Sequence, residues 1–314
     1  MRVYRWDLDK TYLLTDIDSM RGLVRAAVES ARSKRAVPGA PALMRELARE
    51  RPGWRPRIVI LSGSPTQMRP VLEQKLRMDG VRFDEFILKD NLANLKRGRL
   101  RAVRGQFGYK LPQLLLGRVG LGAAVREVLF GDDAEVDALV YSVYADAIAG
   151  RIAPVELSRI LAAAGAYPDH IVDALAALRK VAQADAVDRI FIRLDRGRPH
   201  ATFEPLGGRV VPVRSWFEAA LVLYRDGELG AESVTRIRDA AGLAPAEVAL
   251  HFGDVLARGF VEPAAMTRLL GEVGPDLAWD VCATELAKGA GDFRPAAPPD
   301  GVDYLDVLKR FARP

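Results

Sequence analysis

The chain of 314 residues holds a single cysteine, Cys282, which excludes an intramolecular disulfide and a thiolate metal cluster. That side chain is expected to act as a small buried hydrophobe. Histidine is nearly as scarce. His170, His200 and His251 stand far apart, none at an i, i+4 ligand spacing, and a structural or surface role is expected for each. No run of eighteen apolar residues occurs, and Arg2 and Arg5 fall where a signal peptide needs its apolar stretch. The expectation is a cytoplasmic protein with no transmembrane segment, for which peripheral membrane contact stays open. Neither sign of charge is missing. The 46 basic residues exceed the 41 acidic ones by only five, a surplus that fits an anionic small substrate as readily as a nucleic acid or a membrane surface.

What is present is globular in character, with 49% apolar and 28% charged residues. Five short apolar stretches have the look of strands: Val3 to Trp6, Ile58 to Leu61, Phe86 to Leu88, Val128 to Phe130 and Arg189 to Leu194. Helical periodicity fills the intervals, including helices from about Ser19 to Lys34 and Ala40 to Glu50. This alternation predicts an α/β fold with a doubly wound, mainly parallel sheet, and an added helical C-terminal region. The core is assigned to residues 1–195, with a helical insertion at about 150–185, and a mainly helical C-terminal domain to 196–314. Within the helical part, Gly150 to Gly165 aligns without gaps on Gly227 to Gly242, and Pro168 on Pro245. Two related helix-turn-helix units at an offset of 77 residues follow from this match.

In a parallel sheet, ligands bind beyond the carboxyl ends of the strands, so the residues that follow each strand are the candidates. Asp7 and Asp9 follow the first, Ser62 and Gly63 the second, Lys89 and Asp90 the third, and Asp132 and Asp133 the fourth. Two carboxylates at i and i+2 project to the same side. One can attack phosphorus while the other handles a proton. Ser62 supplies a hydroxyl for a phosphoryl oxygen, and Lys110 an ammonium ahead of a leucine-rich helix. The acids of Gly131-Asp132-Asp133-Ala134-Glu135-Val136-Asp137 are hard oxygen ligands of the kind that suits magnesium.

These four segments, in this order, resemble the four motifs of the haloacid dehalogenase (HAD-like, Rossmannoid) superfamily. Ser62-Gly-Ser-Pro-Thr-Gln-Met68, with Leu88-Lys-Asp90 and the Asp132 to Asp137 spacing, resembles more narrowly the catalytic domain of actin-patch-associated phosphatidate phosphatases. The resemblance implies a phosphatase that hydrolyses a phosphate monoester through an aspartyl-phosphate. Asp7 would be the nucleophile and Asp9 the acid and base, with Thr11, Ser62, Gly63 and Lys110 at the phosphate. It further implies Mg2+ held by Asp7, the backbone carbonyl of Asp9, and Asp132, with either Asp133 or Asp137 as the supporting acid. The partner would be a phosphorylated small molecule or a lipid headgroup.

Two other readings compete. A scaffold could keep the same site only to bind a phosphorylated partner. The segment Glu232 to Arg258 has the rhythm of a DNA-binding helix-turn-helix. The helix that would read the groove contains Glu247 and Asp254 and one terminal arginine, where neutralising phosphates favours several cations, so helix packing is preferred to nucleic acid. The basic residues Lys96, Arg97, Arg99, Arg101 and Arg104 are read as an exposed loop near the site, with Phe107 and Tyr109 as their only aromatic neighbours.

Overall fold

The computed structural model describes residues 1–15, 30–51, 53–90, 106–289 and 301–311. Most of the expected helix from Ser19 to Lys34, and all of Lys96 to Arg104, lie outside the described residues. Residues 31–33, at the end of that expected helix, form a turn.

Alternation within the strands explains how the sheet is covered. In β1 (Arg2–Trp6), Tyr4 and Trp6 face one side and Arg5 the other, and all five residues are buried. The same division runs through β2 (Pro56–Pro65), β3 (Glu85–Lys89), β4 (Arg126–Asp132) and β5 (Val187–Arg193). All five expected strands are therefore present. A sixth, β6 (Val210–Val213), pairs with β5 through Ile190–Val210 to Arg193–Val213. It is four residues long and contains Pro212, which lacks an N–H for a ladder and is confined to sheet edges. That brevity and that proline hid it from the sequence reading. It also lies past residue 195, so the sheet does not end at the boundary assigned to the core.

All pairs are parallel, and the order is β3-β2-β1-β4-β5-β6. The chain reverses its direction of travel across the sheet between β1 and β4. Crossover loops at this switch point leave a crevice above the carboxyl ends of these two strands.

On one face, Tyr4, Trp6, Ile60, Phe130, Phe191 and Val211 pack under helices from both ends of the chain. These include α1 (Ala40–Leu47) and α2 (Arg69–Met78). On the other face, Leu61, Leu129, Ile190 and Ile192 pack under α3 (Phe107–Leu116), α4 (Asp137–Ile148), α5 (Pro154–Ala163) and α6 (Pro168–Leu178). After β6 come α7 (Trp216–Arg225), α8 (Ala231–Ala241), α9 (Pro245–Ala257), α10 (Pro263–Glu272) and α11 (Leu277–Gly289), which return to the first face. The last helix, α12 (Tyr304–Phe311), lies on the second. Cys282 is fully buried in α11, and burial pushes its thiol up to about 12.

The internal repeat is structural. α5 and α6 correspond to α8 and α9 at the same offset of 77, and Gly165 and Gly242 both end their first helix with positive φ, 77° and 67°. The two units sit on opposite faces of one sheet. α9 buries Val248, Phe252, Val255 and Leu256, and its solvent side carries Glu247 with no lysine or arginine. That is the surface of a packing helix rather than one that meets phosphates. No helix among the described residues is long and apolar enough to cross a membrane.

Candidate active site

The ladder between β1 and β4 continues one residue past β1, where the Asp7 amide donates to the Phe130 carbonyl at 2.9 Å. Asp7 thus stands at the switch point beside the end of β4. Beneath it the Trp6 and Phe130 rings stack at 4.0 Å, and Phe130 stacks on Phe191 at 5.3 Å. These aromatic residues occupy matching registers on β1, β4 and β5, so the carboxylates above them rest on a rigid floor.

Lys110, on the first turn of α3, is fully buried. Its Nζ donates to Asp7 Oδ1 at 2.8 Å, Asp137 Oδ1 at 2.5 Å and Glu135 Oε2 at 2.9 Å. Burial alone would lower its pKa, but Asp137, Asp7 and Glu135 hold it well above the usual lysine value. The carboxylates are forced the other way. Burial, joined by repulsion among the acids, raises Asp7 and Asp132 well above the normal range and Asp137 to about 6, against the attraction of Lys110.

Asp7, Asp132 and Asp137 each offer an oxygen within 4.8 Å of the others. Asp7 Oδ2 and Asp137 Oδ2 are buried and accept no hydrogen bond from any described residue. Crowded, desolvated carboxylates with idle oxygens are what a hard divalent cation relieves, so the donor set fits a metal. Gly131 makes this crowding possible. A Cβ there would meet Asp137 Cβ and Oδ2 at 2.6 Å and the Tyr141 ring at 2.9 Å.

The other expected residues fall around this group. Thr11 Oγ1 donates to Asp132 Oδ2 at 3.2 Å, and Asp132 Oδ1 accepts the amides of Ala134 and Glu135 at 2.7 and 3.1 Å. Ser62 Oγ donates to Asp9 Oδ2 at 3.0 Å and accepts the Ser64 amide at 2.9 Å. Ser64 Oγ donates to the same Asp9 oxygen at 2.6 Å. The other oxygen, Asp9 Oδ1, is buried without a partner among the described residues, and burial raises the Asp9 pKa. Gly63 lies directly against the Gln106 side-chain amide, which would have to shift to admit a Cβ there.

Asp133 is not among the three acids of this group. Its Oδ1 and Oδ2 accept the backbone amides of Arg196 and Arg198 at 2.7 and 3.0 Å. Its carboxylate ties down the loop after β5, because adjacent residues at a strand end point in opposite directions. Between the two supporting acids left open by the sequence, the geometry places Asp137 in the acidic group.

Four residues near the site were given no role from the sequence. Glu135, which Gln106 Nε2 also holds at 3.0 Å, was visible as the one glutamate inside the Asp132 to Asp137 cluster. Ser64 was signalled by its i+2 relation to Ser62. Arg193 and Trp216, which bond to the backbone of the Asp7–Thr11 turn, carry no local motif at all.

No curated protein and no solved structure matches this chain. Residues 6–158, which span the whole acidic group and Lys110, match the model of the family described as phosphatidate phosphatase APP1, catalytic domain, in agreement with the resemblance that the motifs carry.

Proposed function

We propose that the protein is a magnesium-dependent phosphatase of the haloacid dehalogenase type that hydrolyses a phosphate monoester through an aspartyl-phosphate. The observation that carries this reading is the buried Lys110 ammonium bonded at once to Asp7 and Asp137 beside idle carboxylate oxygens. A lone buried acid cluster would be self-repelling. With a cation on one side and an ion-accepting edge on the other, it becomes a receptor for a phosphoryl group.

Asp7 Oδ attacks phosphorus while the bond from phosphorus to the leaving oxygen breaks. Asp9, whose pKa is raised by burial and whose Oδ1 has no partner among the described residues, gives a proton to the leaving oxygen. The Asp9 carboxylate then takes a proton from water as the water oxygen attacks the phosphorus of the aspartyl-phosphate. Inorganic phosphate leaves, and Asp7 is restored. Ser62 and Ser64 hold Asp9 in position. Lys110, Thr11, and the Ser62–Gly63 segment receive the phosphoryl oxygens.

Magnesium, held by Asp7, the Asp9 carbonyl, Asp132 and Asp137, would supply positive charge between the phosphoryl oxygens and the carboxylates. Asp133 is left out of this set. The substrate reading follows the family description: a phosphatidate-type lipid headgroup or a related phosphorylated small molecule.

The test is a substrate panel run with magnesium, in which phosphatidate vesicles stand beside sugar, nucleotide and aryl phosphates. Turnover is expected to stop with chelator and to fall to background in Asp7→Asn. Asp9→Asn is expected to lose roughly 10²–10⁴-fold in kcat while still forming phosphoenzyme on an activated aryl ester. No turnover on any ester, together with no capture of a phosphoryl mimic at Asp7, would end this reading. Equal loss of phosphoenzyme in both variants would contradict the division of roles.

A further inference from the structure

The turn that carries the two aspartates has a backbone that needs support from outside. Lys10, between Asp9 and Thr11, has φ of 62° and is the only non-glycine residue with positive φ among the described residues. Such a conformation is strained for a residue with a side chain and persists only where its surroundings over-determine it. Part of that support is local. The Tyr12 and Leu13 amides donate to the Leu8 carbonyl at 2.9 and 2.8 Å, and the Lys10 amide donates to the Leu13 carbonyl at 2.8 Å.

The two carbonyls at the crest of the turn are held from far along the chain. Arg193 Nη1 donates to the Lys10 carbonyl at 2.5 Å, and Trp216 Nε1 donates to the Thr11 carbonyl at 3.1 Å. Neither donor is free to wander. Arg193 ends β5 in register with Asp132, its guanidinium is braced by Asp195 at 2.6 Å, and its carbonyl accepts the Asp133 amide at 3.0 Å. Trp216 is fully buried at the start of α7, with its ring 5.4 Å from Trp6 and 5.8 Å from Phe130, the residues that introduce Asp7 and the Asp132 strand end. Both donors lie beyond residue 158, where the family match stops.

We propose that Arg193 and Trp216 are positioning residues that hold the Asp7–Thr11 turn in its reactive shape, so that the second half of the chain completes the active site instead of accompanying it. The proposal rests on the phosphatase reading given above. Both side chains act through backbone carbonyls. Neither needs to touch substrate, and their loss misplaces Asp7 relative to Asp9 and the acids of β4. A displacement near 1 Å in a reacting group lowers rate without lowering ground-state binding to the same degree.

The experiment uses the full chain with 4-nitrophenyl phosphate and magnesium. Trp216→Phe keeps the ring packing and removes the N–H; Arg193→Met removes the guanidinium; Arg193→Lys keeps a donor. The expected result is a fall of roughly 10- to 100-fold in kcat for Trp216→Phe and Arg193→Met. KM should stay within about twofold, and Arg193→Lys should recover part of the loss. Hydrogen exchange at the Tyr12 and Leu13 amides should quicken, while the amides of Val3 to Trp6 stay protected. Unchanged kcat with unchanged exchange overturns the proposal. A loss of kcat matched by uniformly faster exchange across β1 and a lower melting temperature also overturns it, since that is general packing. If the wild-type protein turns over no ester, the phosphatase reading fails by itself, and the exchange at Tyr12 and Leu13 still decides whether these residues hold the turn.

Discussion

Lys110 bonded to three carboxylates, and Asp137 held at about 6, are two sides of one imbalance. Burial opposes the charge on Asp137, and Glu135 adds to the repulsion, while Lys110 and a hydrogen bond with the Asp132 backbone pull the other way. A group whose folded-state pKa lies above its ordinary 3.8 contributes stability that is fully present below that ordinary value and is lost as pH rises through about 6. In metal-free protein, Asp137→Asn is therefore expected to raise the melting temperature by a few degrees at pH 8. The gain should disappear at pH values below the ordinary carboxylate range, where both side chains are neutral. Thermal unfolding in chelator at several pH values measures this, and an absence of any gain at pH 8 would show that the acid cluster is not strained. The same substitution should abolish turnover, because the strain and the capacity for a cation share a cause.

At the level of elements, the end of β4 sends consecutive aspartates to different tasks. Asp132 turns toward Thr11 and the acidic group, while Asp133 clamps the loop after β5 through two amides. Hydrogen bonds to a charged acceptor are each worth about 1.5–3 kcal/mol, enough to order a short loop. Asp133→Ala is expected to expose Arg196 and Arg198 to trypsin while leaving intact the rise in melting temperature that added magnesium is expected to give the wild-type protein. Asp137→Ala should lose that rise. The reverse pattern would move the supporting ligand to Asp133. The duplicated helix pairs belong to this scale as well. α5 with α6 and α8 with α9 share spacing and turn glycines, yet they cover opposite faces of the sheet. A repeat records how a unit folds on itself, and the strand that precedes it sets the face on which it lands.

Across the whole molecule, one sheet serves both halves of the chain. Trp6 and Phe130 are covered by Trp216 of α7, and they share one buried cluster with Phe191 and with Phe252 of α9. Each large apolar side chain returned to water costs roughly 1.5–3 kcal/mol, against a stability of about 5–15 kcal/mol for a whole domain. A fragment of residues 1–195, the core as the sequence outlined it, would lose β6 and this cover. It is expected to be insoluble or to lack a cooperative thermal transition, as soluble yield and near-ultraviolet circular dichroism would show. A fragment that melts cooperatively would establish an independent core and confine the role of α7 to the turn.

Read from the sequence alone, the five longer strands, the parallel α/β class and the order of the motif residues were legible, because each is a local pattern: an apolar run that stops at an acid, a serine or a glycine. Cys282 as a buried hydrophobe and the 77-residue repeat were legible for the same reason. Tertiary structure alone decided that Asp137 rather than Asp133 joins the acidic group, that Pro212 sits in a sixth strand, and that the repeat straddles the sheet. It alone brought Arg193 and Trp216 to the Asp7–Thr11 turn, through hydrogen bonds between residues 183 and 205 positions apart. Local patterns report what a segment can form with its neighbours in sequence. Contacts across such distances depend on which apolar faces bury one another when the whole sheet is covered, and no short window contains that information.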